Sequence, residues 1–133
     1  VPEVLEKEVT QVTADVTLTT TTENVCASAS VRIPTHNARV LVKGRGLLTT
    51  GADTTAVVPR IRDGAAITGT LRSPEDEQPV KMAAGGTEPF EVLAIVAVQN
   101  VDQYTACFTL DQVGATADGT VLHSSIEMEV LGG

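Results

Sequence analysis

Large aromatic side chains are almost missing from this sequence: there is one Tyr, two Phe and no Trp, 2% of the residues. A core without them must be filled by Val, Leu, Ile and Ala, which makes a thin interior and leaves apolar area for contact with other chains. Basic residues are scarce as well, 9 Lys and Arg against 17 Asp and Glu, for a formal net charge of -8. Nucleic acid binds proteins that displace its counterions with Lys and Arg, so nonspecific nucleic-acid binding is excluded as a function class. The acidic balance instead keeps a surface soluble. Long apolar runs are missing too. Residues 92–98 form the best one, and they have the length of a strand, far short of the roughly 20 residues of a membrane helix. No membrane partner is expected, and no secretory pattern opens the sequence.

Cysteine is limited to Cys26 and Cys107. Two ligands do not close a zinc site. A bond between them needs strands that face one another, and two buried free thiols are the favoured state. No cofactor and no metal is expected from any residue pattern.

What the sequence does have is alternation. The length of 133 residues fits one domain. Tyr104, Ala106, Phe108 and Leu110 alternate with Thr105, Cys107 and Thr109, and Leu122, Ser124, Ile126, Met128 and Val130 alternate with Val121, His123, Ser125, Glu127 and Glu129. A repeat of two puts one set inward and the other outward. A Gly- and Asp-containing loop separates the two runs, which reads as a strand pair joined by a turn. Val25, Ala27, Ala29, Val31 and Ile33 alternate in the same way up to Pro34. Residues 39–50 read as a strand interrupted by Gly44 and Gly46, each a mark of a bulge or a close backbone approach. Asp63-Gly64 signals a hairpin with residues 65–71 pairing back. Residues 80–83 read as a short strand, and residues 90–99 as a strand apolar enough for burial on both faces. The expected fold is all-β, a jelly-roll-like β-sandwich of about eight strands. Residues 1–22 are expected to supply an extended N-terminal arm and first strand, and residues 23–133 the sandwich.

Catalytic chemistry finds little to work with. A nucleophile needs a base within reach, and the only histidines are His36, in a turn, and His123. His123, Ser125 and Glu127 share a strand face, but residues two apart stand side by side, which is poor relay geometry. Gly44-Arg45-Gly46 precedes no helix and is no phosphate loop. Glu127 and Glu129 lack the aromatic platforms that sugars stack on. Glu75, Asp76 and Glu77, and Asp118-Gly119, read as solvated turns rather than calcium loops. Trimeric all-β nucleotide hydrolases share this length, but their phosphate segment and catalytic Asp have no counterpart here. Arg60 and Arg62 share a face, where they can meet an acidic neighbour or hold a strand edge soluble.

Several stretches together resemble the small trimeric jelly-roll domains of tailed-bacteriophage virion proteins. They are Val57-Val-Pro-Arg-Ile-Arg-Asp-Gly64 with Ala-Ile-Thr-Gly-Thr-Leu71, Ala-Ala-Gly-Gly-Thr-Glu-Pro-Phe90, Tyr104-Thr-Ala-Cys-Phe-Thr-Leu110 and Gly114-Ala-Thr-Ala-Asp-Gly-Thr-Val121. The resemblance covers roughly the last 80 residues. It implies a non-enzymatic virion structural protein, a head decoration or head-fibre protein that assembles as a homotrimer on the capsid surface. The implied partners are further copies of the chain and the major capsid protein or another virion protein. No catalytic residues carry over. The expected partner interface comprises Val4, Leu5, Val9, Val12, Arg60, Arg62 and Phe90. The alternative is an immunoglobulin-like binding module of a secreted or cell-surface protein, which an oxidised Cys26–Cys107 pair would favour.

Overall fold

The computed structural model describes residues 3–18, 23–50, 55–74, 80–82, 85–113 and 119–132. Nine strands occur among them: β1 (Glu3–Val12), β2 (Val16–Thr17), β3 (Asn24–Arg32), β4 (Asn37–Thr50), β5 (Thr55–Asp63), β6 (Val80–Met82), β7 (Thr87–Gln99), β8 (Gln103–Val113) and β9 (Gly119–Gly132). No helix occurs among the described residues. The strands form two antiparallel sheets. The first, sheet A, runs β1-β9-β4-β7 with β2 also on β9, and the second, sheet B, runs β3-β8-β5-β6. Successive strands change sheet at six of the eight connections, all but β1 to β2 and β5 to β6, as in a jelly-roll-like sandwich.

Alternation explains which residues close the sandwich. Val40, Val42 and Leu48 of β4, Phe90, Val92, Ala94 and Val96 of β7, and Ile126, Met128 and Val130 of β9 all face inward from sheet A. They meet Ala27, Ala29 and Val31 of β3, Val57 and Ile61 of β5, and Ala106, Phe108 and Leu110 of β8. Each fully buried Val, Leu, Ile, Phe or Met side chain among them contributes about 1.5–3 kcal/mol. The two phenylalanines meet in this core with ring centroids 5.5 Å apart.

Gly44 and Gly46 make room for those rings. A Cβ at Gly44 would lie 2.5 Å from Phe108 Cγ, and one at Gly46 would lie 2.5 Å from Phe90 Cζ and 2.8 Å from the His123 carbonyl oxygen. Both are close approaches. The bulge of this region is on the facing strand: Leu47 pairs with His123 but Leu48 pairs with Val121, so Leu122 is the extra residue. That bulge brings Val121 to the inner face with Ser124 and Ile126, a change of phase within β9.

Residues 3–12, expected to supply an extended arm and first strand, form an edge strand in register with β9, continued past an interruption at residues 13–15 by β2. Three expectations change. The strands β8 and β9 do not pair with each other. Each is central in its own sheet, because each has an apolar face to bury against the opposite layer. Residues 65–71 do not form a returning strand. Gly64 takes φ 80°, a turn follows in which the Gly69 amide bonds the Ala66 carbonyl, and a single bridge joins Arg62 to Leu71. Finally, β7 is an edge strand buried on its inner face alone, with Leu93 and Ile95 exposed on the other.

The Phe108 atoms nearest Gly44 belong to the root of the side chain, which cannot swing away. We expect Gly44→Ala to lower stability by about 1–3 kcal/mol through overpacking, read as a lower urea midpoint with an unchanged slope.

Candidate functional site

Two polar constellations lie on the outer faces of the sandwich. On sheet B, β5 and β8 pair so that Arg60 stands beside Thr109 and Arg62 beside Cys107. Glu23 precedes β3 and closes over them, its side chain 9% exposed. Arg62 donates from Nε to Glu23 Oε2 (2.7 Å) and from NH2 to Oε1 (2.9 Å), Arg60 donates to Oε1 (3.1 Å), and the Thr109 hydroxyl donates to Oε2. Burial alone would raise the Glu23 pKa. The hydrogen bonds from Arg62 and Thr109 outweigh it and hold the carboxyl below its ordinary 4.5. Arg60 also donates to Asp111 Oδ2 at 2.7 Å. Beside this group, Asp63 accepts from Arg72 and from the Tyr104 hydroxyl at 2.5 Å. Burial opposes ionisation of Asp63, yet the Arg72 and Tyr104 hydrogen bonds hold its pKa below the ordinary 3.8. The same burial, together with the Asp63 acceptor, pushes the tyrosine hydroxyl up.

This cluster ties strands together. Arg62 also donates to the Gly69 carbonyl, the Gly64 amide bonds Thr105, and the Cys107 thiol donates to the Ala66 carbonyl at 3.7 Å. Residues 64–69 thereby lie over the outer face of β8. Both cysteines are buried and neither is disulfide-bonded, and burial pushes the Cys26 thiol up to about 12.

The outer face of sheet A is organised in rows. Pairing of β1 with β9, β9 with β4 and β4 with β7 lines up Val4, Leu131, Arg39 and Ala97, then Lys7, Glu129, Leu41 and Ile95, then Val9, Glu127, Lys43 and Leu93, then Gln11, Ser125, Arg45 and Glu91. Ion pairs run through the middle: Lys7 with Glu127 (3.0 Å) and Glu129 (3.8 Å), and Arg45 with Glu127 (3.5 Å) and Glu91 (3.7 Å). The Lys7 hydrogen bond chiefly holds the Glu127 pKa below its ordinary value, and that bond raises the Lys7 pKa in turn. Apolar side chains flank this centre. Val4 and Val9 on β1 are 49% and 43% exposed, and Leu93 and Ile95 on β7 are 47% and 63% exposed.

The sequence-predicted interface residues therefore separate. Val4 and Val9 are exposed on the outer face of sheet A. Leu5 and Val12 turn toward the core and pack against it, and Phe90 is buried over Gly46, which the missing Cβ of that glycine permits. Arg60 and Arg62 do share a face, and they pair with Glu23 and Asp111 of the same chain. Glu23, which no pattern in the sequence singles out, is the centre of the cluster, and two arginines on one face are the only signal for such an acid. A shallow groove of about 380 Å³ is lined by Arg45, Leu47, His123 and Ser125 where β1 gives way to β2. Glu127, further along the same face, is bound by Lys7 and Arg45 rather than directed at His123. The acidic stretch 75–77 and Asp118 lie outside the described residues.

No protein-family model matches the chain, and no curated protein matches it in sequence. Two solved chains of infectious bursal disease virus are similar in fold. One, from the crystal structure of the T13 viral particle, has a TM-score of 0.59 at 10% identity, over 96% of this chain and 32% of that one. The other, from the Gx strain, has a TM-score of 0.53 at 13% identity, over 99% of this chain and 32% of that one. The chain spans about a third of the length of these solved chains. What is shared is the two-sheet, jelly-roll-like sandwich.

The depressed pKa values of Glu23 and Asp63 stabilise the fold above the ordinary carboxylate values, and that contribution is lost as pH falls through the lower folded-state values. We expect stability to be level from neutral pH down to about 5 and to fall below about 4. Glu23→Gln should cost about 1–3 kcal/mol at pH 7 and flatten the acid limb, as measured by urea unfolding at a series of pH values.

Proposed function

We propose that this chain is a non-enzymatic structural component of a virus particle, a capsid decoration protein that assembles as a homotrimer on the head of a tailed bacteriophage and contacts its major capsid protein. The observation that carries the reading is the outer face of sheet A. Four of the five exposed large hydrophobic residues among those described, Val4, Val9, Leu93 and Ile95, stand on it in register. Single exposed apolar side chains are ordinary, whereas two apolar flanks, Val4 with Val9 and Leu93 with Ile95, set on either side of a charged centre mark a contact surface. The likeness of fold to chains of a virus particle supports the same role. So does the resemblance of residues 54–131 to trimeric phage jelly-roll domains.

In this reading Val4 and Val9 are the part of the expected interface that contacts a neighbour, and the Lys7–Glu127–Arg45 network beside them fixes its orientation. Burial of apolar area at roughly 25 cal/mol per Å² drives the contact. The immunoglobulin-like alternative drew on a Cys26–Cys107 bond, and both thiols are free.

Native mass measurement and co-sedimentation with phage heads test the proposal. We expect a mass that is a multiple of three chains and saturation of heads, and at least about a tenfold loss of head affinity in the Val4→Lys, Val9→Lys double variant, equivalent to about 1.4 kcal/mol, without a change in melting temperature. A strict monomer that also ignores heads overturns the reading.

A further inference from the structure

Among the edge strands, β7 alone combines length and an unshifted register with a long uncharged stretch, its Glu88, Pro89 and Glu91 lying toward one end, whereas the edge strand β3 of sheet B has a register shift between Val25 and Ala27. Strand β7 matches β4 over 13 consecutive pairs without a register shift, so it runs straight. No described strand pairs with its other edge. Between Glu91 and Gln99 it carries seven apolar residues, Val92-Leu-Ala-Ile-Val-Ala-Val98, and no charge or proline. At the opposite edge of sheet A, β1 is interrupted by a bulge between Val4 and Glu6 and carries Glu6, Lys7 and Glu8. In sheet B, β6 is three residues long. Charges, bulges and shortness are how sheets close off their edges, and a long apolar edge that lacks them is a template for another strand.

We propose that β7 pairs antiparallel with β7 of a second copy about a two-fold axis through Ile95, making one continuous sheet across the two molecules. Charge and register argue for a second copy. The apolar run is centred on Ile95, so this register alone sets the whole run against itself: Val92 opposite Val98, Leu93 opposite Ala97, Ala94 opposite Val96. The single charge beside the run, Glu91, then falls opposite neutral Gln99 of the other copy, and no two acids meet. Shifting the register puts apolar residues opposite Glu91 or Gln99. In a chain of net charge -8 most approaches of two copies are repulsive, and the uncharged stretch of β7 is a place where that repulsion is least. Leu93, Ile95 and Ala97 share the outer face, so pairing also joins the two apolar flanks into one strip. This contact uses the flank opposite Val4 and Val9, and it stands apart from the virion reading.

Engineered disulfides read the register directly. At a two-fold centre the paired Cα atoms are about 4.5–5.5 Å apart, within disulfide range. Position 91 is eight residues from its own copy in the second chain, about 26 Å at 3.3 Å per residue. On mild oxidation of the otherwise native chain we expect Ile95→Cys to form a covalent dimer. Glu91→Cys alone and Gln99→Cys alone should remain uncrosslinked, while an equal mixture of the two should give a covalent heterodimer. The native thiols are buried and stay out of the reaction. Thermal melts of each variant before oxidation confirm folding, which 63% exposure of Ile95 favours. As a second readout, Ile95→Lys should shift the native mass to half-size species. Uncrosslinked Ile95→Cys, equal crosslinking at 91 and 95, or an unshifted mass in Ile95→Lys overturns the proposal.

Discussion

The close approach of Phe108 to Gly44 is the contact on which the geometry of this sandwich depends. With so little aromatic volume available, the two layers meet mainly through Val and Ala, and the two phenylalanine rings, in contact with each other, are among the largest side chains between them. Each ring needs a backbone without a Cβ beneath it. Gly44 receives Phe108 from the opposite sheet, and Gly46 receives Phe90 from the adjacent strand. These seats fix the phase of β4. Its even-numbered residues must face inward, and the odd-numbered Arg39, Leu41, Lys43, Arg45 and Leu47 must face outward. Since β4 pairs with both β7 and β9, its phase sets theirs, down to the extra residue at Leu122 that carries β9 past Gly46. The rows on the outer face are thus a consequence of what the core can accommodate.

Charge is distributed with a similar economy. Four of the nine basic residues, Lys7, Arg39, Lys43 and Arg45, stand on the outer face of sheet A among Glu127, Glu129 and Glu91. That face is nearly balanced in a strongly acidic chain. Exposed ion pairs of this kind contribute little to folding, and their effect falls on which surfaces approach one another. The Glu23 cluster on sheet B is different. Its groups are mostly buried and mutually satisfied, so removing one leaves its partners uncompensated. One polar group therefore holds the fold, and the other is available to orient a contact.

Much of this architecture is legible in the sequence, and the boundary of legibility has a physical origin. A period of two reveals which side chains share a face, and it does so correctly for residues 104–110 and 124–130. It does not reveal which strand lies alongside, because pairing is decided by the opposite layer. Residues 102–131 therefore read as a hairpin although their two strands are central in different sheets. Residues 1–8 read as an arm because Glu3, Glu6, Lys7 and Glu8 look solvated, yet those charges suit an edge strand. Arg60 and Arg62 were legible as a pair on one face. Their acid, Glu23, was not, since 37 and 39 residues separate it from them and only the sheet register joins them. Phe90 read as a contact residue because nothing in the sequence discloses that Gly46 lies beneath it.

The misreading of β7 is the instructive one. An apolar run of seven residues implies burial on both faces, and within one chain only Val92, Ala94, Val96 and Val98 obtain it. Leu93, Ile95 and Ala97 remain outside, on a straight strand whose second edge has no described partner. A strand that is apolar on its outer face and unprotected over the middle of its free edge carries a sequence suited to a larger sheet, which the proposed β7–β7 pairing supplies. The opposite edge has charges and a bulge, so the sheet extends in one direction only. Extension of an antiparallel sheet by a strand symmetric in polarity about its own midpoint closes after a single addition, because the two-fold axis consumes both free edges at once. A small acidic sandwich can in this way present one associating edge without becoming a fibre.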